Sequence, residues 1–139
     1  VFVNGVFAPE KSDKCDTSDI VIEQLSDVKQ LDFHWAKDIY GRYESLSQDP
    51  VPRPLAAYNT AFANDGIVIH VKDCIERPIN IIYENTDEYS DVILHHVIKV
   101  DDKAALTVLE NGSAAARLNQ VMVQAPSPAH LLRHSKFPS

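Results

Sequence analysis

PLAAYNTAFANDGIVIHVKDCIERPINIIYENTDEYSDVILHHVIKVDDKAALTVLENG, residues 54–112, is the stretch on which the fold of this 139-residue chain turns. It opens on a short helical signal, with Leu55, Tyr58 and Phe62 forming an apolar stripe that Asn64-Asp65-Gly66 ends. Past Gly66 the helical period vanishes. Apolar runs follow at 67–71, 79–83, 92–100, 104–109 and 118–123, their starts 12 to 14 residues apart. Between them stand polar or proline corners: Lys72-Asp73, Arg77-Pro78, Asn85-Thr86-Asp87, Asp101-Asp102 and Asn111-Gly112. Because side chains alternate across a strand, one set per run faces inward. Those sets are Ile67, Ile69 and Val71; Ile79, Ile81 and Tyr83; and Leu94, His96, Ile98 and Val100. Short strands at this spacing fit an antiparallel sandwich or a coil of parallel strands. A sandwich would use tight hairpin dipeptides between most runs, and only Asn111-Gly112 has that form. A hexapeptide repeat is missing, which argues against a left-handed β-helix. Sandwich and right-handed β-helix both remain open on the pattern alone.

Upstream, VFVNGVF (1–7) predicts a hairpin, with Asn4-Gly5 supplying the two positive φ angles of a type I′ turn. Pro9 ends its second strand, because proline cannot donate to a ladder. Residues 11–18 read as loop, and IVIEQL (20–25) as a strand. From Ser26 the period becomes helical: Val28, Leu31, Trp35, Ile39, Tyr43 and Leu46 follow one another at spacings of 3, 4, 4, 4 and 3. Asp27 and Gln30 resemble a capping box at its start, and Gly41 is the expected break. Pro50, Pro52 and Pro54 exclude a helix interior, although Pro54 suits the first position of a new helix. Downstream, residues 125–139 carry Pro126, Pro128 and Pro138 and start no predicted element.

Composition bounds the function. Hydrophobic residues make up 45% and charged residues 24%, as in a globular domain with its own core. The net charge of -7 gives no electrostatic basis for binding nucleic acid or an anionic membrane. No apolar run reaches the roughly 18 residues of a membrane span, and no signal-peptide pattern is visible. Cys15 and Cys74 form no CxxC spacing and read as free thiols of a reducing compartment.

Candidate chemistry is sparse. His95-His96 invites a metal reading, but adjacent strand residues point to opposite faces, so both read as structural histidines. His34 and His70 stand alone; His130 and His134 have two-ligand helical spacing, without the glutamate of an HExxH motif and close to Pro126 and Pro128. An iron–sulfur cluster needs three or four thiolate or histidine ligands, and Cys74 with the remote Cys15 falls short. The acids Asp65, Asp73, Glu76, Glu84, Asp87, Glu88, Asp91, Asp101, Asp102 and Glu110 fall mainly at run ends. They are not placed as the facing pair of a glycosidase, and Trp35 is the single tryptophan available for a sugar platform. GxxxxGK[ST], GxGxxG and GxSxG motifs are lacking. No catalytic or metal-ligating residue is assigned.

Four pieces, in order, resemble the SufB/SufD family of iron–sulfur cluster assembly scaffolds, closest to SufD: VFVNGVFAPEKS, PLAAYNTAFANDGIVIHV, ERPINIIY and ALTVLENG, with a looser match through LNQVMV. The resemblance covers about residues 1–123. It implies a mainly β fold, a partial right-handed parallel β-helix preceded by a β-hairpin and short helices. A lead-in over 1–66 and the start of the β-helix over 67–139 would form one structural unit. It further implies a non-catalytic scaffold of the SUF system, cytoplasmic, within a SufBCD complex. SufB-like and SufD-like chains would associate through the β-helix, and a SufC-like ATPase would bind near C-terminal helices. The iron–sulfur cluster and ATP belong to the whole complex; the family's cluster-related cysteine and histidine lie beyond residue 139, and none is carried over. A partial chain would leave an exposed β-helix end open to self-association. The alternatives are a β-helix enzyme acting on carbohydrate and an unrelated all-β interaction module.

Overall fold

The alternation of Ile67, Ile69 and Val71 with Val68 and His70 gives a strand with two different apolar faces, and the molecule is layered around it. The computed structural model describes residues 1–15, 17–32, 34–41, 54–86 and 92–112, and the backbone of 118–124 and 132–135. The chain begins with β1 (Phe2–Val3) and β2 (Val6–Phe7), joined by Asn4 at φ 48° and Gly5 at φ 80°, the type I′ geometry that Asn-Gly predicts. A single 3-10 turn, Pro9–Lys11, follows. Then come β3 (Ile20–Gln24), α1 (Leu25–Gln30), α2 (Trp35–Ile39), α3 (Pro54–Phe62) and β4 (Ile67–Val71). The remaining strands are β5 (Ile79–Glu84), β6 (Ile93–Val100), β7 (Thr107–Gly112), β8 (Leu118–Gln124) and β9 (Leu132–Ser135).

Two sheets result, ordered β2-β1-β5-β7-β9 and β3-β4-β6-β8. From β4 onward, successive strands alternate between the sheets, and each pairs in parallel with the strand two further on. An antiparallel sandwich is therefore excluded. A right-handed parallel β-helix is not shown either: both sheets are open and mixed, because β2 and β3 pair antiparallel at one edge of each. Strands on both sides of the expected 66/67 boundary share these sheets, β1 pairing with β5 and β3 with β4.

The inner faces enclose one core, in which Ile67, Ile69, Val71, Ile81, Leu94, Ile98 and Val100 meet Phe2 and Ile20. These are the inward sets expected from alternation, with Ile79 and Tyr83 packed on the flank. On the outer face of the second sheet, Val68 and Val97 are covered by Leu25, Val28, Ala36 and Ile39 of α1 and α2. That second burial explains why the run ending at Val100 is almost continuously apolar: β6 is covered on both faces.

The helices depart from their expected form. The predicted strand gives up Leu25 to α1, whose N-cap is Gln24 with no side-chain cap; the Asp27/Gln30 capping box does not form. Gln24 is committed elsewhere, donating from Nε2 to Asp65 Oδ2 at 2.8 Å. A break also falls between Gln30 and Trp35, where His34 starts α2 as an N-cap whose Nδ1 accepts the Ala36 N–H; α2 itself ends at Ile39, and Gly41 follows at φ 76°. Leu31 is left exposed. Tyr43 and Leu46 lie outside the described residues. Pro54 does open α3, but the stripe is inverted: Leu55, Tyr58 and Phe62 are exposed, while Asn59 is buried and donates to Leu94 O. The N-terminal end of β6 precedes its pairing with β4, so its backbone is met by Asn59, by Asn64 N on Ile93 O and by Asp65 O under His95 N. A buried polar side chain at that position serves the strand better than an apolar one.

Two further corrections concern turns and ends. Asn111-Gly112 is not a corner but the end of β7, opposite Ile82 and Tyr83. Gly112 lies against the Tyr83 ring, which an added Cβ would approach to 3.1 Å, and Asn111 bonds Asn80. Residues 132–135, for which no element was expected, form β9 on β7.

Candidate functional site

His95 and His96 separate as strand geometry requires. His96 faces the inner core, 5.2 Å from the Phe2 ring, whereas His95 meets the Tyr40 ring in a tilted contact at 4.5 Å beneath the helices. Both are fully buried. His96 Nδ1 accepts the Ile67 N–H at 3.0 Å. A neutral ring with Nδ1 as acceptor carries its proton on Nε2, which therefore donates to the Tyr83 hydroxyl at 2.9 Å. Tyr83 donates onward to Glu110 Oε1 at 3.2 Å. A polar chain thus runs from the β4 backbone through the core to half-buried Glu110. Burial, and secondarily the neighbouring His95, push the His96 pKa down to about 3, so the imidazole is neutral at physiological pH. Tyr83 and His96 were legible as inward residues; their partnership required the register of two sheets.

A second cluster covers the outer face of the helix-bearing sheet. Trp35 lies between the rings of His34 and His70, at 5.2 and 5.5 Å, with Lys99 Nζ 5.5 Å from its centroid. His34 bonds Glu23 at 3.0 Å and His70 bonds Asp101 at 2.9 Å. Each histidine is thus turned to a carboxylate and not to a shared point. Among the described residues no group of three or more histidine, cysteine or acidic side chains could hold a metal. Cys15 and Cys74 are exposed, and Cys74 Sγ contacts Lys103 O at 3.3 Å. His134 lies on β9, so helical spacing to His130 does not apply; His130 is outside the described residues.

The acids are dispersed. Asp65 is buried and accepts the Phe7 N–H and Gln24 Nε2, tying β2 and β3 to the start of β4. Glu84 pairs with Lys11, and Asp73 accepts the Cys74 N–H. Glu76 and Asp102 are exposed at corners, while Asp87, Glu88 and Asp91 lie outside the described residues.

One concavity stands apart from these clusters. A cleft of about 420 Å³ opens between the hairpin, residues 11–15 and the corner leading into β5. Half-buried Phe7, Ile22, Ile75 and Ile79 line it, above buried Phe2 and Ile67. Lys11, Lys14 and Arg77 also line it, together with Asp13 and Cys15. The sequence marks Arg77 as a corner residue but assigns none of the three cations to a site, since residues from two loops have no common period.

No helix among the described residues is long and apolar enough to cross a membrane. No curated protein and no solved structure matches the chain. The family model described as the SufBD protein N-terminal region matches residues 1–81, more than half of the sequence, from the hairpin through β4 into β5. The chain belongs to the SufB/SufD family of iron–sulfur cluster assembly proteins.

Proposed function

We propose that the chain is a SufD-like, non-catalytic scaffold component of a cytoplasmic SUF complex. The observation that carries this reading is the alternation of β4 to β9 between two sheets with parallel pairing at every second strand. Together with the family match, it favours the early coils of a right-handed β-helix. Such a wall offers strand edges; among the described residues the edge strands are β2 and β9 in one sheet and β3 and β8 in the other. A SufB-like partner or a second copy would extend those edges by backbone pairing. The SufC-like ATPase would bind through the SufB- and SufD-like chains together, so that ATP acts on the assembled complex. Co-expression of the full parent protein with SufB-like and SufC-like chains tests this: a stable ternary complex is expected, and its absence with soluble, folded partners would refute the assignment.

The cluster is cargo of the complex in this reading, not a resident group of this chain. The two exposed cysteines stand in separate loops, and His34 and His70 are each engaged with a carboxylate. Anaerobic reconstitution of the chain alone with iron and sulfide is expected to leave no stoichiometric cluster. A stable visible chromophore that disappears on Cys74→Ser would overturn that expectation.

A further inference from the structure

We propose that the cleft beside the hairpin binds an amphipathic carboxylate, a short aliphatic acid with its chain in the cleft and its carboxylate at the cationic rim. Three observations converge. Phe7, Ile22, Ile75 and Ile79 are half-exposed there while packing directly on the main core, so a bound chain would extend that core and not form a new one. The cleft, at about 420 Å³, lies in the range of small-molecule sites. Finally, the chain carries a net charge of -7, yet among the described residues this cleft is lined by Lys11, Lys14 and Arg77 against the single acid Asp13.

The rim cations are not equivalent. Lys11 is held by Glu84 at 2.6 Å, which neutralises much of its field. Lys14 and Arg77 are exposed and are paired with no other described residue, so the carboxylate falls to them. Arg77 offers a planar fork for two oxygens, and Lys14 adds a point charge from the facing loop. A neutral chain of the same length fills the apolar part but leaves the cations unmet. A bare small carboxylate meets the cations but gains nothing from the isoleucines.

Cys15 lines the cleft and supplies the readout, with exposed Cys74, which does not line it, as an internal reference. Octanoate is expected to slow alkylation of Cys15 in the 139-residue chain while leaving Cys74 unchanged. Acetate should protect about a hundredfold less well, because six methylenes lose their partial burial, and octanol about tenfold less well, as expected for the loss of two exposed charge pairs. Lys14→Glu with Arg77→Glu should weaken octanoate protection by a similar factor without changing the far-ultraviolet spectrum; Lys14→Gln with Arg77→Gln provides a milder version if the first pair disturbs folding. The proposal is overturned if octanoate never protects Cys15, if octanol protects equally, or if both rim pairs leave protection unchanged.

Discussion

Gly66→Ala is expected to destabilise the fold by at least about 3 kcal/mol, the largest effect of any one-carbon change in the described residues. A Cβ at this position would lie 1.9 Å from the His95 carbonyl oxygen and 2.7 Å from its carbonyl carbon. Both are backbone atoms of a strand covered on two faces, so no side chain can swing away. Relief requires parting the start of β4 from β6, where Asp65 O accepts the His95 N–H and Gly66 O accepts the Leu25 N–H. Equilibrium urea unfolding measures the effect as a lowered midpoint. A midpoint unchanged from the parent would mean that the two strands do not approach as described.

His96→Leu is the second large effect and adds a pH signature. The substitution keeps an apolar side chain of similar reach but leaves the Ile67 N–H and the Tyr83 hydroxyl without their interior partner. A loss of about 2–3 kcal/mol at pH 7.5 is expected for buried groups left unmet. In the parent, His96 has its pKa pushed down to about 3 in the fold, against an ordinary value of 6.5. Between those values the unfolded chain binds a proton that the folded chain refuses, so the parent gains stability as pH rises and loses it as pH falls. From pH 7.5 to pH 5 this one group removes about 2 kcal/mol. The leucine variant lacks that dependence, and other titrating groups cancel in the difference. The gap between the two proteins should therefore narrow towards pH 5; parallel stability curves would exclude a buried neutral His96.

Period-two alternation survives folding well, because each residue's face is decided locally. The inward sets of β4 and β6 and the Asn4-Gly5 turn were accordingly legible. Features settled by distant partners were not. The face of α3 is chosen by the Leu94 carbonyl, which draws Asn59 inward and turns Leu55, Tyr58 and Phe62 out. Gly112 was read as a turn residue because Asn-Gly is a hairpin signal, yet its small size serves the Tyr83 ring on the adjacent strand. Residues 132–135 have too short a pattern to announce a strand, and β9 is defined by pairing with β7. The same limit governed the sites: single histidines were placed on the correct faces, while the His96–Tyr83–Glu110 chain and the cationic cleft depend on residues brought together from separate loops and sheets.

The antiparallel strands β2 and β3 give the stack a polarity. At their side β1 pairs antiparallel with β2 and parallel with β5, and β4 pairs antiparallel with β3 and parallel with β6, so single strands carry both orientations. At the opposite side, β8 and β9 continue the parallel pattern. The stack thus resembles a column on a differently laid footing: the regular repeat, in which strands alternate between the sheets and each rung copies the direction of the last, starts at β4 and not at the first strand.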